Sequence, residues 1–525
     1  MSLKIFFFNH LMIAPMKNFI PALLLFLLIS GCTSSSQNEG HTVKVNLTVS
    51  DDVKESFQAD GRLYVFLNQN LEVEPMDQIW PYPGRMSHIF AINRTDLSPD
   101  GSITIAPNEG WTKTTDWTFE NVPEGEYNIQ ILWDQDKSES RINAPGNLYS
   151  EKQKITVSNS IEVDITINQV IAERELAESD LLHLVDFQSD TLSAWWDKPV
   201  HLKASVLLPE NYDSSESYPI RYNVAGYGGR YTRVNNLLNS ADFTDWWQSD
   251  EGPRVINVFL DGEGPFGDSY QMDSENSGPY GHALIYELIP HIESEYRGTD
   301  SANTRFVDGC STGGWVSLGL QLYYPDHFNG VFSYSPDAIE FENYQLINIY
   351  EDENAFINEF DYERPVMRST VGEPMISLRD FIAYENTLGD SDTYLNSGGQ
   401  FSAHTALYSP RGENGLPKPL FHPTTGEIDR EVAEHWKKYD FKIYAEENWS
   451  TLGPKLQGKI FIWMGDMDQF YLNPSTRAFD EFLKNTEEPV SDAEVIFTPM
   501  AGHCDQFSNK TVLMQIQERL GEMEQ

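Results

Sequence analysis

Cysteine is scarce in this chain, with three residues in 525. That excludes a fold stapled by many disulfides and a zinc site built from several thiolates. Positive charge is scarce too. Against 36 lysines and arginines stand 80 aspartates and glutamates, a formal charge of −44, which repels polyphosphates and excludes DNA or RNA as a partner. No H-E-x-x-H pair, P-loop or dinucleotide fingerprint occurs, so neither a metal nor a cofactor is expected. What is present belongs to a packed protein: 40% apolar, 13% aromatic and only 22% charged residues, a mix that excludes disorder as the default. The length exceeds what one hydrophobic core usually fills, and at least two domains are expected.

The first segment is read as an export signal over residues 1–31. Met16-Lys17 precedes an apolar run from Phe19 to Ile29, broken only by Pro21, too short to span a bilayer but suited to a signal peptide. Ile29-Ser30-Gly31-Cys32 looks like a bacterial lipobox, which implies cleavage before Cys32 and lipid on its thiol. Residues 32–40 are Ser-rich and read as a tether. An exported protein is expected, anchored by lipid to a bacterial membrane and facing the periplasm or the cell surface.

Residues 41–175 read as all-β. Val43, Val45, Leu47 and Val49 alternate with polar neighbours, and Ile161, Val163, Ile165 and Ile167 repeat the pattern, as strands with one buried face do. Leu63 to Leu67 and Tyr127 to Leu132 add further strands, and a small immunoglobulin-like sandwich is expected. It holds no catalytic constellation and reads as a spacer or a carbohydrate-contacting module. Ile171 to Asp180 is charged and helix-prone and marks the boundary.

From residue 176 strands alternate with longer helical stretches, which predicts an α/β fold with a mainly parallel sheet and helices on both faces. Strands are expected at Val200–Leu208, Tyr218–Val224, Val255–Leu260, Thr304–Val307, Ile460–Met464 and Glu494–Thr498. A helix is expected over Tyr280–Tyr296. Residues from about 336 to 456, rich in Asn, Pro, Gly and aromatics, are too long for an ordinary loop. They are expected to form a lid-like insertion over the C-terminal edge of the sheet.

Gly309-Cys310-Ser311-Thr312-Gly313-Gly314 has the G-x-S-x-G form between a strand and a helix. A reversal of that kind needs small neighbours, exposes the serine hydroxyl and leaves the Thr312 amide at a helix N-terminus, where it can hold an oxyanion. A serine hydroxyl needs an imidazole to take its proton and a carboxylate to orient the imidazole. In chain order after Ser311 come Asp468, in Gly465-Asp466-Met467-Asp468, and His503, in Met500-Ala501-Gly502-His503-Cys504. Asp466 is held in reserve for Asp468. Cys310 precedes the serine and Cys504 follows the histidine; if Ser311 and His503 are in reach, the two sulfurs are close enough to bond. The second oxyanion donor is expected in Ala225-Gly226-Tyr227-Gly228-Gly229, at the Tyr227 amide, with Gly226 next.

These motifs resemble a known family. Leu207-Leu208-Pro209 with Tyr212, Gly226 to Gly229, Leu260-Asp261-Gly262, Glu287 to Glu293, Gly309 to Trp315 and Tyr324-Pro325-Asp326-His327-Phe328 are similar to the bacterial putative-esterase family of α/β-hydrolases, which includes esterase-D-like and feruloyl- or acetylxylan-esterase-like proteins. The resemblance implies Ser311, Asp468 and His503 as a triad. The Cys-Ser, Asp, His-Cys arrangement is also similar to that of tannases and fungal-type feruloyl esterases. The expected function is hydrolysis of carboxylic esters, acetyl- or feruloyl-type groups on carbohydrate. A serine peptidase of the same fold and an inactive surface glycan-binding lipoprotein are the alternatives.

Overall fold

A computed structural model describes residues 40–523; the expected signal peptide, the lipobox at Cys32 and the tether up to residue 39 lie outside the described residues. From Gly40 onward the chain forms one compact unit that holds two large sheets.

The first sheet has nine strands: β1 (Val43–Val49), β2 (Gly61–Asn68), β3 (His88–Arg94), β4 (Ile103–Ile105), β5 (Thr112–Lys113), β6 (Gly125–Asp134), β7 (Leu148–Ser150), β8 (Gln153–Val157) and β9 (Ile161–Val170). Its order is β4-β1-β9-β7-β6-β2-β3-β5, with β8 also on β6. The two alternating segments that suggested the module pair with each other in parallel, Val43 opposite Ile161 through Val49 opposite Ile167. Their apolar side chains enter one core with Leu63, Val65, Ile129 and Ile131. The other face of β2 is not free. Tyr64 and Phe66 pack with Tyr384 and Leu388 of the insertion, Tyr64 Oη donates to the Leu388 carbonyl at 2.6 Å, and buried Arg62 pairs with Asp392 at 2.7 Å.

The helix-prone boundary segment is not helical: residues 171–179 have no regular structure. Its groups bond outward to both modules instead of to each other. Arg174 pairs with Glu139 at 2.8 Å, Tyr231 Oη donates to the Arg174 carbonyl at 2.6 Å, and the Ala177 amide donates to Asn235 Oδ1 at 2.9 Å. Tertiary partners outweigh a weak local propensity.

The second sheet has eight strands: β10 (Leu182–Gln188), β11 (His201–Leu207), β12 (Ile220–Val224), β13 (Ile256–Leu260), β14 (Arg305–Cys310), β15 (Gly330–Tyr334), β16 (Ile460–Gly465) and β17 (Glu494–Thr498). The order is β10-β11-β13-β12-β14-β15-β16-β17. β10, β11 and β13 pair antiparallel; β13 with β12 and every pair from there to β17 run parallel. Side chains alternate between two cores. Val258, Val307 and Val331 face the helices Tyr280–Glu295, Thr312–Tyr323 and Phe441–Leu456, whereas Phe259, Phe306 and Phe332 face Ala241–Trp247 and Asn509–Met523. With both faces covered, the central strands read as unbroken apolar runs. Residues 280–295 form the expected helix, with a π segment at Leu284–Leu288 just before Pro290. The stretch from 336 to 456 adds a hairpin (Pro365–Arg368 with Pro374–Ser377) and the helices Leu378–Leu388, Gln400–Tyr408, Arg430–Trp436 and Phe441–Leu456. Its last helix belongs to the sheet's covering layer, since Phe441 stacks on Trp315 at 4.5 Å.

Arg221 of β12 and Asp308 of β14 form a bidentate pair at 2.7 Å, both fully buried, three residues before Ser311. Removing one partner strands the other charge in the interior, at a cost of about 3–5 kcal/mol. Urea unfolding of Asp308→Ala should show a loss of that size, while exposed Glu359→Ala stays within about 0.5 kcal/mol of the parent.

Candidate active site

Strand β14 ends in a reversal that only this local sequence permits. Ser311 has φ 61° and ψ −127°, a conformation that costs a non-glycine residue on the order of 1–3 kcal/mol. It is held from both sides: the Ser311 amide donates to the Tyr334 carbonyl at 3.0 Å, and its carbonyl accepts from the amides of Trp315 at 3.0 Å and Asp337 at 3.3 Å. A Cβ on Gly309 or Gly313 would lie 2.6 or 2.2 Å from the Val224 carbonyl oxygen, and one on Gly314 would lie 2.5 Å from that of Tyr334. The glycines therefore let the turn press against both neighbouring strands.

Beyond β16, Asp468 is fully buried and its carboxylate is satisfied on both oxygens. Oδ1 accepts from the amides of Phe470 at 2.9 Å and Leu472 at 3.3 Å, and Oδ2 contacts His503 Nδ1 at 2.6 Å. Asp466 instead pairs with Arg477 at the surface, so of the two aspartates Asp468 is the one that meets the imidazole. Cys310 and Cys504 are disulfide-bonded with Cα atoms 6.0 Å apart, tying the turn at Ser311 to the loop of His503. Cys504 is further fixed by its amide, which donates to Ser335 Oγ at 3.1 Å.

The Gly226–Gly229 loop reaches the same place. A Cβ on Gly226 would come into van der Waals contact with that of Ser311, at 3.8 Å. Among the described residues neither the Tyr227 amide nor the Thr312 amide has an acceptor. The Tyr227 hydroxyl donates to the Gly398 carbonyl of the insertion. A cavity of about 570 Å³ opens above Ser311, with Tyr227, Phe381 and Phe470 in its walls.

A family model described as "Putative esterase" matches residues 199–497, more than half of the chain. The chain belongs to that esterase family. It is a hydrolase of carboxylic esters. Among solved structures it is similar to a ferulic acid esterase (14% identity, 64% of this chain and 96% of that one, TM-score 0.40). It is also similar to an S-formylglutathione hydrolase from Agrobacterium tumefaciens (12%, 66% and 95%, TM-score 0.37) and to Est1E from Butyrivibrio proteoclasticus (12%, 65% and 98%, TM-score 0.34). No curated protein matches it.

Two features of the esterase's site escaped the sequence reading. The first is Asp337, buried just past β15. Its Oδ2 accepts from Tyr270 Oη at 2.8 Å and Thr312 Oγ1 at 2.9 Å and lies 3.4 Å from His404 Nε2; its Oδ1 accepts from Ser311 Oγ at 3.4 Å. Burial pushes this carboxyl up, but the His404 imidazole and the two hydroxyls prevail and hold it below the usual carboxylate range. An anion thus sits beside the half-buried serine, and among the described residues the Ser311 hydroxyl bonds to it and not to His503. Ser335-Pro336-Asp337 follows β15, a strand that the sequence reading did not identify. The second is the place of the N-terminal module, read as a spacer or a carbohydrate-contacting module: its Ile79, Trp80 and Arg141 line the cavity. The dense Ile79-Trp80-Pro81-Tyr82-Pro83 run was the available signal.

Burial lowers the basicity of the His503 imidazole, yet the Asp468 carboxylate by charge and hydrogen bond, followed by Asp337 and Asp505, outweighs it and lifts its pKa above the ordinary 6.5. A general base works in its neutral form, so kcat/KM should be full at alkaline pH and lost as pH falls through a value above 6.5. Asp337→Asn removes one raising charge and should move that acid limb to lower pH; a limb that stays or moves up contradicts the electrostatic account. The disulfide closes a loop with a sequence separation of 194 residues, which chain entropy values at about 5 kcal/mol. The double variant Cys310→Ser, Cys504→Ser should lose stability up to that amount in urea titration.

Proposed function

We propose that this chain is a serine esterase that acts on acyl or phenolic esters, acetyl- or feruloyl-type, carried by carbohydrate. Ser311 Oγ attacks the acyl carbon while His503 Nε2 takes its proton. Asp468 holds the imidazole by Nδ1 and offsets the charge it gains. The carbonyl oxygen becomes an oxyanion facing the Thr312 and Tyr227 amides, which are free to donate. As the carbonyl re-forms, the C–O bond to the alcohol breaks and His503 returns its proton to the leaving oxygen. Water then repeats the sequence on the acyl-enzyme, releasing the acid and restoring Ser311.

The single observation that carries this reading is the Asp468–His503 pair at 2.6 Å, tied through the Cys504–Cys310 disulfide to the turn of Ser311. The reaction requires the Ser311 hydroxyl to turn from Asp337 toward the imidazole; catalytic hydrogen bonds often tighten only with substrate present. The aromatic wall of the cavity supports a ring-bearing substrate over acetyl alone. We carry the N-terminal module as an immunoglobulin-like sandwich, supported by the shared core of its first and last strands. Export and lipid anchoring at Cys32 rest on the lipobox-like run.

A fluorophosphonate should label the parent protein at Ser311. Ser311→Ala should escape labelling and lose kcat/KM on aryl acetates by on the order of 10⁵–10⁶-fold. Unchanged hydrolysis by purified Ser311→Ala would remove this serine from the mechanism.

A further inference from the structure

The connection between β2 and β3 leaves its own module. Its start is pinned to β6, where the Met76 amide donates to Gln130 Oε1 at 3.1 Å, and it is closed by Ser87, whose Oγ donates to the Pro75 carbonyl at 2.7 Å. From the insertion, Tyr384 Oη donates to the carbonyls of Gln78 at 3.2 Å and Ser87 at 3.1 Å. Clamped from both modules, the connection projects Trp80 into the cavity above Ser311.

Trp80 there joins a wall of rings. It meets Phe381 edge-on at 5.2 Å, Phe470 edge-on at 6.3 Å and Tyr227 at 6.3 Å with a tilt of 41°. Phe470 in turn meets the His503 ring edge-on at 4.9 Å. Trp80 is only partly buried, and among the described residues its indole N–H has no acceptor. The same module also braces Tyr227: Arg141 Nη1 donates to the Gly228 carbonyl at 2.8 Å, and its guanidinium lies 5.4 Å over the Tyr227 ring. A cavity of about 570 Å³ far exceeds an acetyl group, and ring faces and edges reward planar aromatic partners by geometry as well as by area.

We infer that Trp80, donated by the N-terminal module, is a specificity-determining residue of the ester site and selects substrates that carry a planar ring. This rests on Ser311 performing the hydrolysis as proposed above. A module that served only as a spacer would leave selectivity untouched by Trp80.

The test uses the full chain with Trp80→Ala, Trp80→Leu and Trp80→Phe. Two substrate pairs report the preference: methyl ferulate against methyl butyrate for a ring on the acyl side, and phenyl acetate against ethyl acetate for a ring on the alcohol side. In Trp80→Ala and Trp80→Leu the ring-bearing to ring-free ratio of kcat/KM should fall at least tenfold for one pair, mainly through KM. Trp80→Phe should recover most of it, and the affected pair identifies the side. Leucine fills space without a ring, so it keeps the test open should alanine fail to fold. Both ratios within twofold of the parent, or equal losses on ring-bearing and ring-free esters, would overturn the inference. Fluorophosphonate labelling separates the two levels: a parent protein not labelled at Ser311 defeats the serine-esterase reading, whereas a labelled variant with unchanged ratios defeats only the role of Trp80.

Discussion

The turn at Ser311 is the constraint to which the rest of the site answers. Its positive φ throws the hydroxyl clear of the sheet, and the strain is tolerable because strands β12 and β15 close on it from either side through the Val224 and Tyr334 carbonyls. Gly309, Gly313 and Gly314 make that closeness possible. Because the turn cannot relax, whatever is attached to it is positioned as well: Cys310 carries the loop of His503, and Asp337 reaches the serine carbonyl with its amide and the hydroxyl with its side chain. The buried Arg221–Asp308 pair stiffens the strand that delivers the turn.

Charge at this site is arranged in two layers. Asp468 faces away from the cavity, spends its oxygens on two amides and the imidazole, and supports positive charge on His503. Asp337 lies on the cavity side, beside the serine, held as an anion by His404, Tyr270 and Thr312. An anion there would oppose a developing oxyanion, which is why the proposed mechanism directs that charge toward the Tyr227 and Thr312 amides. In the proposed mechanism the two carboxylates give the site a direction: proton toward His503, negative charge toward the backbone.

The two modules form one site because the insertion packs against both. Helix Leu378–Leu388 covers the outer face of β2 with Tyr384 and Leu388 and presents Phe381 to the cavity. Arg62 and Tyr64 bond to its C-terminal end. The connection carrying Trp80 is thus held by the module it comes from and by the element it faces.

The sequence alone settled what local chemistry dictates. Strong period-two alternation marked the pairing strands at 43–49 and 161–167, apolar runs marked the buried parallel strands other than β15, and the spacing of glycines around Ser311 admits few backbones other than a tight reversal. Chain order, with two cysteines flanking the serine and the histidine, made His503 and Asp468 the candidates, with Asp466 in reserve. Tertiary structure decided what depends on distant partners. Whether Asp466 or Asp468 meets the imidazole turns on which carboxylate is buried under the loop, not on spacing. The segment at 171–180 forgoes a helix because Glu139, Tyr231 and Asn235 supply its partners. Asp337 and Trp80 carry no motif: each matters only through partners distant in sequence, Tyr270 and His404 for Asp337 and Phe381 and Phe470 for Trp80, a closure that no local pattern encodes.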